Sequence, residues 1–509
     1  MLILAAQLSL FAVFLVICLA YFAFLVPPRH PTNIPAVPFW VALIPFFKDV
    51  DQSDIFRKYI ERPLRTHGAV KLFFGAQWNI LVHKPSYLAM IFKEEDIYQK
   101  SGNQKKIPHS VLAHFLGDNI ISSHGEVWRK YRSVVQPGLQ RDFDARVIAR
   151  NAERLCGLLR DAQFRARDGG VPVQELLQRY SVANCSEVVL QIKLTTLTSA
   201  SAPIHLLQTE VKREIFKPIF MNFPVLDRFP FPSRTRARRI VDGFKHELRR
   251  ALVESHAKGA APVSSASSDG LGQRMLDARE SGLWNEKQLL DNLTVTFVAG
   301  QENPQLCMIS TLYLMAKHPE SQAKLYTEVQ SKGLLESADP DPEVLQDMPY
   351  LTSLIYESLR LFPPIGQLVN RKASEDIVLG NNIFIPKGTY LGYNCYSTNR
   401  DPAVWGPRAD EFDPARWGDS TSAIQKQYRL RRARAEFISF HGGRRACLGE
   451  KFAMLEMRVT LVALVREFRW KLDPSWVDRM TPAGPLYPRA LRLVFFDRRK
   501  DFGEATYSR

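Results

Sequence analysis

One cysteine, Cys447, lies in a stretch of glycines and arginines that leads directly into an apolar helical pattern. The stretch covers residues 440–449, and the helical pattern covers residues 450–470. Glycines allow a backbone to turn tightly and to approach a flat ligand closely. Backbone amides and the dipole at a helix N-terminus stabilise a thiolate. The stretch therefore predicts a loop that presents a ligating thiolate. The alternative is a buried structural cysteine in a glycine-rich turn.

The spacing within this loop follows a known pattern. It reads Phe-x-x-Gly-x-Arg-x-Cys-x-Gly and resembles the haem-binding loop of the cytochromes P450. The resemblance implies a b-type haem whose iron takes Cys447 as its axial ligand, since a thiolate donates electron density to the iron. It also implies one large domain of the cytochrome P450 fold, mainly α with a small β region. The loop residues assigned to haem binding are Phe440, Arg445, Cys447 and Gly449.

Composition and charge exclude several other classes of protein. The 509 residues show no repeat, and the six cysteines lack the spacing of a zinc site or a disulfide framework. The net charge is +16, but the basic residues are dispersed and no nucleic-acid-binding module is recognisable. We therefore expect no nucleic-acid partner. Attraction to an anionic membrane surface or to an acidic protein partner explains the charge more simply.

The N-terminal segment is apolar enough to span a bilayer. Residues 2–26 are interrupted only by Gln7 and Ser9, and about twenty apolar residues cross the hydrocarbon core. A signal peptide is the alternative, but a basic n-region and a convincing cleavage site are missing. We predict a single transmembrane helix at residues 1–26, a proline-rich hinge at 27–40 and a P450 catalytic domain at 41–509. Positive charge after the anchor predicts a cytoplasmic catalytic domain, and the resemblance to microsomal P450s places it at the endoplasmic reticulum membrane.

Two residues on one predicted helix resemble haem-propionate donors. Trp128 and Arg132 are four residues apart and therefore lie on the same helix face. The structural alternative is a surface helix with one anchoring tryptophan. The resemblance assigns both side chains, together with Arg371, to hydrogen bonds with the haem propionates. Guanidinium groups are well suited to bind carboxylates in this way.

A polar patch interrupts the apolar centre of the long helical pattern at residues 286–318. Such a patch is costly unless it faces a site or finds partners. Pro304 has no amide for the carbonyl of Gly300, so the helix is expected to kink there. The patch resembles the P450 oxygen-binding groove, with Glu302 as the acid and Asn303 in place of threonine. An amide holds a water but cannot relay a proton as a hydroxyl does. The assigned catalytic residues are Gly300, Glu302 and Asn303.

Glu357 and Arg360 are three residues apart and share one helix face. Many exposed helices carry such a pair, so alone it indicates little. Together with Arg416 it resembles the family's Glu-x-x-Arg motif and its arginine partner. That motif forms a buried ion-pair network, which stabilises a fold only when every charge is paired. We assign these three residues a structural role. The substrate pocket is assigned to Ala299, Ile365, Gly366, Gln367 and Leu368.

Three further stretches allow two interpretations or carry little pattern. Residues 100–123 lose their hydrophobic period, which predicts a long irregular loop. Aromatic residues and prolines crowd residues 215–231, and a basic run follows at 234–239. This region is either ordinary core with a solvated basic face or, as the resemblance implies, a substrate lid that dips into the membrane. The basic run at 428–434 is either a solvated loop or a docking surface for an acidic reductase.

The resemblance also implies a reaction and its partners. Electrons come from NADPH through NADPH–cytochrome P450 reductase, with cytochrome b5 as a further candidate partner, and dioxygen and a small-molecule substrate are consumed. The anchor and residues 299–305 (AGQENPQ) resemble fungal members, most of all those that oxidise N-formyltyrosine or related phenols to dityrosine-type dimers. Phenol coupling removes hydrogen instead of inserting oxygen, so Asn303 is less of a handicap. The alternatives are an ordinary hydroxylase or epoxidase of a lipophilic secondary metabolite, and a non-catalytic haem or lipid carrier.

Overall fold

Helices build most of the protein, and its strands form three small sheets. The computed structural model describes residues 2–75, 77–257, 270–336, 340–380 and 382–498. The α-helices within these residues are α1 (Leu2–Ala20), α2 (Ile44–Phe47), α3 (Gln52–Ile55), α4 (Glu61–His67), α5 (Pro85–Lys93), α6 (Asn103–Lys106), α7 (Val111–Leu116), α8 (Gly125–Gln140), α9 (Ala145–Ala166), α10 (Val173–Asn184), α11 (Pro203–Ile215), α12 (Pro218–Asn222), α13 (Pro232–Ala257), α14 (Leu271–Glu280), α15 (Glu286–Lys317), α16 (Pro319–Ser331), α17 (Pro342–Gln346), α18 (Pro349–Leu361), α19 (Cys395–Thr398), α20 (Pro402–Trp405), α21 (Thr421–Ala433) and α22 (Glu450–Glu467).

The largest sheet has five strands in the order β1-β2-β8-β5-β3. Only the β2–β8 pair within it is parallel. A three-stranded sheet has the order β4-β10-β9, and β6 pairs with β7. The strands are β1 (Ala69–Phe74), β2 (Gln77–Val82), β3 (Tyr98–Lys100), β4 (Val171–Pro172), β5 (Gln367–Ala373), β6 (Ile377–Leu379), β7 (Ile383–Ile385), β8 (Tyr390–Asn394), β9 (Phe468–Leu472) and β10 (Arg492–Asp497).

The long helix α15 is the centre of the helical core. It packs against α10, α13, α18 and α22, and most of its side chains are buried. A capping box starts it, in which the side chain of Asn285 accepts from the amide of Gln288 and the Gln288 side chain accepts from the amide of Asn285. The helix continues through Pro304 to Lys317. The polar patch predicted from the sequence therefore lies at mid-helix, deep in the protein.

The N-terminal helix α1 is continued by a π-helical turn at Tyr21–Leu25. Its described side chains are largely exposed, for example Leu8, Phe11 and Phe14 at 62%, 64% and 63% of their surface. Among the residues that were described, no helix reaches the combination of length and apolar character that a membrane crossing needs. The transmembrane helix therefore stays a prediction.

Two sequence interpretations differ from the fold. Residues 100–123 contain the short helices α6 and α7 in place of a long irregular loop. The basic run that starts at Arg234 lies on α13, and Arg234 is buried rather than solvated, with 2% of its surface exposed. Its guanidinium Nε donates to Asp227 Oδ1 at 2.5 Å. Burial is tolerated because this arginine has a buried carboxylate as its partner.

Candidate active site

The loop before α22 holds Cys447 by backbone contacts. The Cys447 amide donates to the carbonyl of Phe440 at 2.9 Å. Gly443 has a φ of +63°, and a Cβ on it would lie 2.2 Å from the carbonyl oxygen of Phe92. Only glycine fits there, because both the backbone angle and the close approach exclude a side chain. The glycine of the sequence pattern thus brings the loop against α5.

The Cys447 side chain is accessible, although neighbouring groups desolvate its sulfur. Desolvation by burial raises the pKa of its thiol to about 11. The amides of Gly449 and Glu450 act in the opposite direction, as expected at a helix N-terminus. They do not offset the burial. A thiol with this pKa loses its proton when it coordinates a metal ion, so the loop suits an iron ligand better than a free thiolate nucleophile.

Three buried cations lie together near this loop. Lys100 on β3 lies opposite Arg371 on β5. The charges of Arg371 and Arg445 both act on Lys100, and the charge of Arg371 also acts on Arg445. Burial and mutual repulsion lower the pKa of Lys100 well below its usual value, and they lower the pKa of Arg445 to about 10. The carboxylate that all three share is Glu95, which accepts from Arg445 at 2.9 Å.

This cation cluster tests whether the chain fits a haem. When Lys100 is protonated, the charges of Lys100, Arg371 and Arg445 exceed that of Glu95 by two, and buried charges are costly unless paired. Nε of Arg371 is buried without a hydrogen-bond partner in the described structure. A haem carries two propionates, so it would supply the two missing negative charges. The residues therefore fit the predicted cofactor.

Trp128 lies beside the same cluster. The guanidinium carbon of Arg445 is 4.3 Å from the centroid of the Trp128 ring, and that of Arg132 is 5.1 Å away. Arg132 donates from Nη1 to the carbonyl of Arg444 at 2.8 Å and from Nε to Gln136 at 2.7 Å. The structure thus brings Trp128 and Arg132 on α8 to the cysteine loop. Their predicted role as propionate donors stays a prediction.

The patch on α15 forms an accessible face in the buried core. Ala299, Gly300, Glu302 and Asn303 are partly accessible, whereas Gln301 is fully buried. The Asn303 amide donates to the carbonyl of Ala299 at 3.3 Å. Glu302 Oε1 lies 3.0 Å from Nζ of Lys212 on α11. The groove thus contains an amide bound to the helix backbone and a carboxylate paired with a lysine.

The predicted pocket segment follows α18. The amide of Leu486 donates to the carbonyl of Pro364 at 3.4 Å, and a Cβ on Gly366 would lie 3.4 Å from the Cβ of Leu486. Ile365, Gln367 and Leu368 remain partly accessible. The segment is therefore lined on one side by the loop that carries Leu486, a residue that the sequence interpretation did not include.

Glu357 is the centre of an ion-pair network in which Glu357 and Arg360 are fully buried and Arg416 is partly buried. It accepts from Arg360 at 2.8 Å through both carboxylate oxygens and from Arg416 Nε at 2.9 Å. The indole of Trp417 and the amide of Asp413 also donate to it, at 3.1 and 3.0 Å. Since every carboxylate oxygen has partners, the network meets the condition under which buried charges are tolerated. This geometry suits the structural role predicted for the three charged residues.

The basic run before the cysteine loop is helical and partly paired. It lies on α21, where Arg431 binds Glu436 at 2.8 Å and Arg432 binds Glu450 at 2.8 Å. Arg429 and Arg434 are exposed. Part of the run therefore holds the first residue of α22, and only its remainder can serve as a docking surface.

Lys100 is the residue of this site that the sequence interpretation missed. It lies at the start of a stretch read as irregular, and no local spacing connects it with Arg371. The signal is the β3–β5 pairing, which places the two residues opposite each other. A pairing between strands so far apart in the chain is visible only in the fold.

Comparisons with known proteins agree with this geometry. A family model described as Cytochrome P450 matches residues 31–488. The chain is 42% identical to cytochrome P450-DIT2 of Saccharomyces cerevisiae, over 96% of this chain and 98% of the relative. It is 35% identical to cytochrome P450 monooxygenase xanG of Aspergillus fumigatus, over 89% and 85%. The crystal structure of the cytochrome P450DA heme domain has a similar fold, with a TM-score of 0.72 over 93% of this chain and 98% of that one, at 19% identity.

Proposed function

The chain belongs to the cytochrome P450 family and is a P450 enzyme, and we propose that it oxidises a phenolic, tyrosine-derived precursor by oxidative coupling. The resemblance of residues 299–305 to the N-formyltyrosine-oxidising group supports this substrate class. The similarity to P450-DIT2 over nearly the whole of both chains is consistent with it. Membership of this enzyme family argues against the alternative of a non-catalytic haem or lipid carrier.

We propose that the cation cluster and the cysteine loop hold the haem. Cys447 provides the iron ligand, while Lys100, Arg371 and Arg445 neutralise the propionates, with Trp128 and Arg132 beside them. Haem held in this way activates dioxygen and supplies the oxidising power of the reaction. The electrons are proposed to come from NADPH through NADPH–cytochrome P450 reductase, with cytochrome b5 as a further candidate donor.

The observation that carries the coupling proposal is the contact of Asn303. Its amide donates to the Ala299 carbonyl, so the position that resembles a threonine site offers no hydroxyl for relaying a proton. Coupling takes up the same two protons per dioxygen as hydroxylation but inserts no oxygen atom, so Asn303 supports coupling as a departure from the threonine pattern of the family's oxygen-inserting members. Two phenols each lose one hydrogen atom as the new bond between them forms. One dioxygen accepts those two hydrogens, two electrons and two protons, and leaves as two waters.

Turnover with a tyrosine derivative tests the proposal. The purified enzyme, reductase and NADPH are incubated with N-formyltyrosine under air and under anaerobic conditions. We expect an oxygen-dependent dimer whose mass is that of two substrates less two hydrogens. Products that only gain one oxygen, without any dimer, would contradict coupling.

A second candidate, hydroxylation of a lipophilic metabolite, is favoured by Glu302. A carboxylate on the accessible face of α15 can exchange protons with water and so support dioxygen activation for hydroxylation. The substitution Asn303→Thr separates the two functions. A large rise in hydroxylated product with less hydrogen peroxide leakage would favour hydroxylation. An unchanged dimer yield, with no new hydroxylated product, would favour coupling.

We also propose that residues 1–26 anchor the protein in the endoplasmic reticulum membrane, with the catalytic domain at 41–509 on the cytoplasmic side and residues 27–40 as a hinge. The exposed apolar side chains of α1 support an anchor. Exposed aromatic side chains on the body, such as Phe47 and Phe229 at 82% and 53%, support further contact with the lipid surface. The exposed arginines of α21 are proposed to contact the reductase.

A further inference from the structure

A lysine of α11 reaches the catalytic patch of α15. Nζ of Lys212 is 3.0 Å from Oε1 of Glu302, and the two side chains keep 27% and 18% of their surface exposed. Glu302 belongs to the accessible face of an otherwise buried helix segment. The ion pair is therefore only partly buried and stays accessible to a ligand.

A tyrosine and a leucine of one loop, Tyr487 and Leu486, connect this pair with the predicted pocket segment. Burial raises the pKa of the Tyr487 hydroxyl, and the nearby charge of Glu302 raises it further. The neighbouring residue Leu486 packs on the segment that contains Gly366. Thus α11 and the loop at 486–487 both approach Glu302 on α15, and that loop also contacts the segment after α18. A ligand there meets aliphatic and aromatic groups, and it meets the ammonium of Lys212.

His205 is another basic residue of α11, but it adds no positive charge beside the ammonium of Lys212. Burial lowers the pKa of His205, and the positive charges of Arg179 and Lys212 lower it further. Its imidazole is therefore neutral near pH 7. An ammonium has three donors in rotatable positions, so Lys212 can bind a second carboxylate or exchange Glu302 for it. Partial desolvation strengthens such a charged hydrogen bond.

We propose that Lys212 binds the carboxylate of the substrate and so selects acids over their neutral derivatives. The proposal rests on the proposed function, since an N-acylated tyrosine has one free carboxylate and an aromatic ring. The substrate carboxylate competes with Glu302 for the ammonium. Binding of the correct substrate therefore releases Glu302 from its ion pair and leaves this carboxylate free to exchange protons.

Ligand titrations of the full-length holoenzyme test this assignment without turnover. The readout is the change of the haem absorption spectrum as a ligand enters the pocket. Two matched pairs are used: N-formyltyrosine with its methyl ester, and dodecanoate with its methyl ester. Each pair compares a charged carboxylate with its neutral methyl ester, which is larger by one methyl group. The proteins are the wild type and the variants Lys212→Met, Lys217→Met and Glu302→Gln.

The wild type should bind each acid about tenfold more tightly than its ester, as one charge-assisted contact allows. Lys212→Met should abolish this preference without weakening the ester. Glu302→Gln should strengthen the preference for the acid, because the carboxylate that competes for Lys212 is gone. Lys217 is the matched control, since it is a partly exposed lysine of the same region paired with Glu214 at 2.6 Å. Its replacement should leave the preference unchanged.

Three other outcomes are informative. Equal binding of acid and ester by the wild type, or an acid preference that persists in Lys212→Met, overturns the inference. Equal binding of the tyrosine pair together with dimer formation leaves the proposed function intact while removing the role of Lys212. A Lys212-dependent preference for dodecanoate, with no response to either tyrosine ligand, supports carboxylate binding and overturns the tyrosine-derived substrate.

Discussion

Lys100 opposes Arg371 in the β3–β5 pair, and the two repel each other in a buried position. The substitution Lys100→Met removes one charge of the cluster while keeping an unbranched side chain. Without haem, we expect the variant to be more stable than the wild type at pH 7, because the repulsion is relieved. With haem, we expect about tenfold faster haem loss, because one propionate partner is missing. Denaturant unfolding of the apoprotein and haem transfer to apomyoglobin measure the two effects.

The same lysine has a pH signature in the apoprotein. Its folded pKa lies well below 10.5, so between these two values the unfolded chain binds more protons than the folded chain. Wild-type stability should therefore rise with pH in that window, and the rise should shrink in Lys100→Met. Lys372→Met is the control, because Lys372 is the next residue of β5 and is exposed. A Lys100→Met apoprotein that is less stable at pH 7 and holds haem normally would contradict the role of the cluster.

At the scale of elements, the sequence predicts features whose contacts lie close together in the chain, but it does not predict which distant elements meet. The cysteine loop is visible because its contacts lie within ten residues, and Glu357 and Arg360 because they share one helical turn. The long helix of residues 286–317 follows from its apolar length. In contrast, Lys212 meets Glu302 only because α11 crosses α15, and Lys100 meets Arg371 only through strand pairing. One of the two interpretations of residues 234–239 places Arg234 on a solvated face, and the burial of this residue depends on Asp227 from the preceding turn.

The contact between α10 and α22 contains a carboxyl group whose charge should govern the stability of the contact. Glu456 accepts from Ser181 at 2.9 Å and from Asn184 at 3.1 Å, and its Oε2 is buried without a hydrogen-bond partner among the described residues. Burial raises the pKa of this carboxyl to about 8. The folded chain therefore binds the extra proton between the unfolded value, 4.5, and about 8. Its stability should fall as pH rises through that range, by about 1.4 kcal/mol per pH unit.

The substitution Glu456→Gln tests this dependence, since a glutamine keeps the shape and the accepting oxygen but cannot ionise. We expect a flatter stability profile between pH 5 and 8 and a higher unfolding midpoint than the wild type at pH 8, measured by denaturant titration. Glu280→Gln, at the exposed end of α14, is the control and should leave the profile unchanged. A steep profile retained in Glu456→Gln would assign the pH dependence to other groups.

At the scale of the whole molecule, α1 differs from the rest of the protein, here called the body, in where its apolar side chains lie. The body buries its apolar residues in two clusters, whereas the described side chains of α1 remain exposed although none is charged. An exposed apolar helix of this kind is unfavourable in water and favourable in lipid. The proposed anchor would thus account for apolar surface that the body does not cover.

Deletion of residues 1–26 tests this division. We expect the truncated protein to keep its haem and its unfolding midpoint, because α1 contributes little to the buried core, and to be extracted from membranes by alkaline carbonate, unlike the full chain. Exposed aromatic residues such as Phe47 and Phe229 should still give weak binding to lipid vesicles. Replacing both by serine in the truncated protein should remove that residual binding. Extraction of the full-length chain by carbonate would contradict an anchor, and loss of haem on truncation would assign α1 a role in folding instead.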